Sequence, residues 1–279
     1  MKRTTYILSA MMLAGLLIMG GLLFYIASYT TEWEEPLMEV RGEQQVLALP
    51  PCKVVKLTQP PVIWKQKREG VMETERFTSF RNVPLSVSPT DSLQGSLSLA
   101  GDMTSFVSIT AVGDTACITF DFPTEKLESR FQNVSWLLIK SERMGLKIPA
   151  SVQTVVVNME DMETDFRDFR CDTLSFRALN TAKVENCRII SLSAQAQTLR
   201  FHSGEVENLY LNLDGISDWN VKVDSFHIDT EHLTGSRGHS NVLQKGECRQ
   251  VLWTPQNEAA SLNVTIRQAA RIKVGEEAH

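Results

Sequence analysis

From about residue 76 the chain is written in short runs that alternate apolar and polar residues. "SLSLAGD" carries Leu97 and Leu99, "CITFDF" carries Ile118, Phe120 and Phe122, and "TVVVNM" spans 154–159. "TLSFRA" carries Leu174 and Phe176, "TLRFHS" Leu199 and Phe201, "SFHID" Phe226 and Ile228, and "SLNVTI" Leu262, Val264 and Ile266. Successive side chains of a strand point to opposite faces, so this period predicts half-buried strands. Gly101, Gly113, Gly204, Gly215, Gly235 and Gly238 fall between the runs, at expected turns. "PTEKLESRFQ", 123–132, reads as one short helix or a loop.

Two short segments recur. Val184-Glu185-Asn186 returns 22 residues on at Val206-Glu207-Asn208, and "TLSF" at 173–176 returns as "TLRF" at 198–201. A unit of that size cannot bury its own apolar face, whereas a stack of such units can, which is the logic of a β-solenoid. The pattern therefore predicts an all-β solenoid over 76–270. Leu174, Phe176, Leu199, Phe201, Leu209 and Leu211 point inward. Arg177, Arg200, His202, Tyr210 and Asn212 point outward. A β-sandwich with two chance look-alikes is the alternative.

The first 31 residues stand apart. Lys2 and Arg3 precede an uncharged stretch whose apolar core, residues 6–27, reads "YILSAMMLAGLLIMGGLLFYIA". At 1.5 Å per residue that core reaches roughly 33 Å, the thickness of a bilayer interior. The basic flank predicts a cytoplasmic tail at 1–5, a transmembrane anchor at 6–27 and export of the rest. The expected location is a bacterial membrane, single-pass, with the C-terminal domain in the periplasm or outside. Cleavage near Ser28 or Thr30 and secretion is the alternative. Residues 32–75, interrupted by Pro36, Pro50, Pro51, Pro60 and Pro61, read as a stalk or lead-in, and 271–279 as a polar tail.

The 279 residues carry a formal net charge of -5, with no basic face to suggest nucleic acid. Five cysteines, Cys52, Cys117, Cys171, Cys187 and Cys248, form no metal-ligand spacing. They read as isolated core thiols, with a Cys171–Cys187 disulfide as the alternative.

Chemistry is sparse. His202 is exposed on its strand, but Ser203 beside it faces the opposite way, so the two cannot act as a pair. His227, His232 and His239 fall in no H-E-x-x-H, and neither G-x-S-x-G nor a P-loop occurs. The acidic run Glu160, Asp161, Glu163, Asp165 and Asp168 lacks EF-hand spacing and reads as solvated turn residues. Asp214, Asp218 and Asp224 serve glycoside chemistry only if strand register sets them side by side. Asn133 and Asn263 head sequons. Trp136, Trp219 and Trp253 are isolated in sequence, although stacking would bring the last two near each other. No catalytic, cofactor-binding or metal residue is expected.

The opening "FTSFRNVPLSVSP" with "GSLSLAGD", followed by the "TLSF", "TLRF" and "VEN" runs, resembles the auto-transporter adhesin head domain family of exported Bacteroides-like proteins. The resemblance implies a right-handed, single-stranded parallel β-helix. Here it would stand behind the N-terminal transmembrane helix. The expected function is a non-enzymatic, membrane-anchored extracytoplasmic module with a structural, adhesive or ligand-binding role. The alternative is a surface polysaccharide-acting enzyme or glycan-binding protein that uses an outward acidic face. Expected partners are surface polysaccharide or another envelope protein, and the membrane through residues 6–27. No cofactor is expected.

Overall fold

The computed structural model describes residues 2–29, 36–65, 73–80, 83–132, 134–244, 246–266 and 271–274. The chain divides into two units, 1–35 and 36–279.

The first unit is one helix, α1, Lys2–Tyr29. Its side chains are described at Tyr6 and over 11–25, where all are exposed. Among the described residues no helix is long and apolar enough to cross a membrane. The expected anchor at 6–27 is corrected accordingly, and with it the single-pass location and the membrane partner.

The second unit is all-β. Its first strands are β1 Leu37–Glu39, β2 Gln44–Ala48, β3 Val54–Thr58, β4 Val62–Lys65, β5 Glu73–Ser79, β6 Leu85–Thr90 and β7 Ser96–Ala100. Then follow β8 Val107–Val112, β9 Thr115–Phe120, β10 Trp136–Lys140, β11 Met144–Pro149, β12 Thr154–Asn158, β13 Thr164–Arg167 and β14 Arg170–Ala178. Two long strands, β15 Thr181–Gln195 and β16 Thr198–Asn212, precede β17 Asp218–Val221, β18 Phe226–Gly235, β19 Gly238–Leu243, β20 Cys248–Pro255, β21 Ser261–Ile266 and β22 Arg271–Val274. The helix considered at 123–132 is two 3-10 turns, Thr124–Lys126 and Ser129–Phe131.

Among the described residues, sixteen strands form one curled, open half-barrel sheet. Its main path runs β2-β7-β11-β6-β13-β15-β14-β12-β3-β9-β8, and β16, β17, β18, β20 and β22 branch from β15. This corrects the expected right-handed single-stranded parallel β-helix behind a transmembrane helix. Such a coil stacks its rungs in chain order and in one direction. Here β3 lies between β12 and β9, and β6 between β11 and β13. The pairs β2/β7, β7/β11 and β8/β9 are antiparallel. Residues 36–65, read as a lead-in, supply β2 and β3 to this sheet.

The later strands pair in parallel, β14 with β15, β15 with β16, β16 with β18 and β18 with β20. The look-alike segments are not stacked on each other. Val184 lies opposite Phe201, and Val206 opposite Ile189. "TLSF" lies opposite Ser191–Ala194 rather than "TLRF".

Cross-strand partners make apolar columns. One runs Ala116, Val55, Val155, Phe176, Ala194, Leu211, Leu233, Trp253. All eight are buried, as are the six residues that alternation placed inward. Strict alternation fails in the trailing half of each late strand. The buried apolar-column positions step by three, from Ile189 to Leu192, Val206 to Leu209, and Ile228 to Glu231, with Thr230 also buried in the last. Ser191 and Ser193, in phase with Cys187 by period two, are therefore not in the core.

Both long strands also turn sharply near their middles. The β15/β16 register shifts between Val184 and Cys187. Asp168 and Asn186 take positive φ of 62° and 53°, Asn186 Nδ2 donates to Asp168 Oδ1 at 2.6 Å, and the Asn186 amide donates to Ser203 Oγ at 2.9 Å. Gly204, at φ 133°, completes the corner, where an added Cβ would overlap the Cys187 backbone. The five cysteines are free thiols, and Cys171 lies opposite Ile189, which corrects the Cys171–Cys187 alternative.

Leu209 stands between Leu192 and Glu231 in a buried column. Leu209→Ala is expected to cost about 2–5 kcal/mol in urea unfolding, whereas exposed Ser193→Ala should stay within about 0.5 kcal/mol. Equal midpoints would contradict the column. Gly204→Ala, strained in φ and in contact, should cost more than Gly→Ala in an open turn, and unfolding of that variant beside Gly113→Ala measures the difference.

Candidate functional site

Two outward faces flank the interior, and they differ in chemistry. The first is carried by β13 and the leading halves of β15 and β16, with β17. It is laced with ion pairs. Asp165 meets Arg167 at 3.1 Å and Arg143 at 3.4 Å, and Arg167 also meets Glu185 at 3.1 Å. Lys183 pairs with Glu163 at 2.6 Å and Arg200 with Asp218 at 2.5 Å. The acidic run at 158–168 is used up here. Asp161 accepts from Ser79 Oγ at 2.5 Å and Asp168 from Asn186. Among the described residues no group of three or more potential ligands could hold a metal.

The second face is carried by the trailing halves of β15 and β16, with β18 and β20. Register sets three rows across the strands. They are Ser191, Asn208, Thr230 and Gln250; Ser193, Tyr210, His232 and Leu252; and Asn212, Thr234 and Thr254. None carries a fixed charge. At the centre Tyr210 and His232 stack with ring centroids 4.3 Å apart and planes 13° apart, and His232 Nε2 lies 3.1 Å from Asn208 Oδ1. Gln250 Nε2 donates to Thr230 Oγ1 at 2.8 Å. The strands space these side chains at about 4.8 Å, so the face is a regular array of amides and hydroxyls around one aromatic step.

A polar cluster closes one end of the rows. The 3-10 turn Leu213–Gly215 follows β16, with Asn212 Oδ1 accepting from the Asp214 amide at 3.1 Å. The Asp214 carboxylate accepts from the Ser236 amide at 2.8 Å and lies 2.8 Å from His239 Nε2. These hydrogen bonds, Ser236 first and then His239, hold its pKa down at about 2. Ser236 and His239 both address the same carboxylate.

Other expectations fall as follows. His202 is exposed, and its carbonyl accepts from Ser225 Oγ at 2.5 Å. His227 and Asp224 are exposed. Asp214 and Asp218 are engaged separately, with His239 and with Arg200. Trp219 lies opposite Leu199 and Trp253 opposite Leu233, so the two tryptophans join different columns. Trp136 meets Phe77 edge-on at 5.4 Å, with both partly exposed. Asn263 is exposed on β21, and Asn133 lies outside the described residues.

One group escaped the alternation reading entirely. Glu231 is 0% exposed, between Leu209 and Val251, with the Cys248 thiol as the hydrogen-bonding group set against its carboxyl. Burial, and then the nearby Glu247, push its pKa up to about 8. Burial also raises Glu247 and the Cys248 thiol. Period two from Phe226 and Ile228 would set Glu231 outward. The only sequence signal for the shift is Leu233, in phase with 231 and not with 228.

Asp214 gives a test in acid. Its folded pKa is depressed, so its contribution is present above the ordinary value near 3.8 and is lost as pH falls through about 2. Asp214→Asn should lower the melting temperature at pH 6 and converge on the parent near pH 2. A constant offset across that range would count against the cluster.

No family model matches the chain. No curated protein matches it. Among solved structures, a "putative lipid binding protein" from Parabacteroides distasonis is similar at 10% identity and TM-score 0.40, over 86% of this chain and 100% of that one. A "putative adhesin" from Bacteroides fragilis is similar at 8% identity and TM-score 0.40, over 85% of this chain and 99% of that one. A "putative cell adhesion protein" from Clostridium sporogenes is similar at 10% identity and TM-score 0.25, over 84% and 98%. The likeness to these adhesin and lipid-binding proteins is structural and distant.

Proposed function

We propose that this chain is a glycan-binding protein that takes surface polysaccharide on the uncharged face of β15, β16, β18 and β20. The expected membrane-anchored module is set aside with its anchor, and the acidic face foreseen for a glycan is replaced by a neutral one. The carrying observation is the Tyr210–His232 stack set among Asn208, Asn212, Thr230, Thr234 and Gln250. Sugar rings present an apolar C–H face and a rim of hydroxyls. An aromatic step meets the first, and side-chain amides, which both donate and accept, meet the second. The ion-paired face offers less, because its charges already satisfy one another and a neutral ligand would have to displace them. Membership of the auto-transporter adhesin head domain family is part of this proposal, supported by the opening strands β5, β6 and β7 that the matching segments form.

Hydrolysis is the weaker reading. Asp214 and Asp218, the acids considered for it, are held by other side chains.

Titration of the full chain with neutral and acidic surface polysaccharides tests the proposal. Tyr210→Ala should weaken binding by about 1 kcal/mol, several-fold in Kd. Lys183→Ala, on the ion-paired face, should leave it unchanged. Absence of binding to every glycan, or equal effects of the two substitutions, would overturn it.

A further inference from the structure

We propose that Glu231 and Glu247 form a proton-operated clasp at the C-terminal end of the sheet, holding β20 on β18 while their carboxyls are protonated and loosening it as they ionise.

The geometry carries this. The column Leu174, Leu192, Leu209, Glu231, Val251 is apolar except at Glu231. A carboxyl that is fully buried, with only a weakly donating thiol set against it, is tolerable as a neutral acid and costly as an anion. A second acid shares the setting. Glu247 is 4% exposed in the turn before β20, and its Oε2 accepts from the Gln244 amide at 2.7 Å.

No described cation offsets the pair. β16 presents Leu209 and Val206 to this interior, and β20 presents Val251 and the Cys248 thiol, itself kept protonated by burial. The charges nearest in sequence turn outward, where Arg249 pairs with Asp229 at 3.2 Å. Lys245, two residues before Glu247 in sequence, lies outside the described residues.

The direction follows from linkage. Below pH 4.5 the acid is protonated in closed and open forms alike, and the clasp is at full strength. Between there and about 8 only the open form gives up its proton, so closure weakens as pH rises, and above about 8 the full cost stands. β20 also supplies Gln250, Leu252 and Thr254 to the uncharged face, so opening would remove one edge of that face.

Hydrogen exchange of the full chain at pH 6 and pH 9, corrected for the intrinsic chemical rate, reads this directly. Peptides over 248–255 should lose protection by on the order of tenfold or more at the higher pH, relative to peptides over 170–178. Glu231→Gln should abolish that difference. Glu247→Gln, which removes one of two charges, should reduce it. Lys245→Gln should leave it intact. Equal protection at both pH values in the parent would overturn the proposal. So would an unchanged response in both glutamine variants, or loss of the response in Lys245→Gln, which would mark the acid as one held by an ion pair.

Discussion

The sheet depends on side chains shared between strands. A short strand such as β3 or β12 contributes two apolar side chains to the interior, too few to bury anything alone, and even long β15 and β16 bury theirs only against neighbours. Parallel register sets each on its counterpart, as Phe176, Ala194, Leu211, Leu233 and Trp253 show. Small Ala194 stands in that column between the larger Phe176 and Leu211. Each residue's burial is thus conditional on the strands either side, and a substitution is felt in both directions.

Register in turn depends on the places where strands stop alternating. A strand that kept period two throughout would stay straight, and its inward face would soon leave the core. The three-residue steps at Ile189–Leu192, Val206–Leu209 and Ile228–Glu231 recur at matching heights, and the Asp168–Asn186–Gly204 corner recurs on three successive strands. Left-handed backbone at the corner is satisfied by asparagine and aspartate side chains that bond across strands, with glycine where the neighbouring backbone approaches too closely.

This explains what the sequence could and could not convey. Strand existence and the inward leucines and phenylalanines were legible, because the alternating runs sit between the steps. Register was not. The two "VEN" segments share composition but occupy different positions relative to the corner, so an identity in letters is not an identity in space. The mixed order of the early strands was also hidden. β3 sits in the proline-broken stretch, whose short runs give no hint that a segment near residue 55 will lie beside one near 155. The apolar segment at 6–27 read as an anchor from length and composition alone, and among the described residues no helix is long and apolar enough to cross a membrane.

Glu231 lies where these arguments meet. Its flanking residues Phe226 and Ile228 announce an alternation that ends just before it. A reading by period turns it toward water, and the step turns it into the core. The same step sets His232 on the outside, beside Asn208 and Tyr210. The neutral outward face and the buried Glu231 are therefore two consequences of one change of phase in β18. Had β18 kept strict alternation, Glu231 would have joined Asp229 as a solvated acid, and His232 would have been buried away from Tyr210. A protein that retains a buried carboxyl at that point keeps its outward stack by the same backbone geometry.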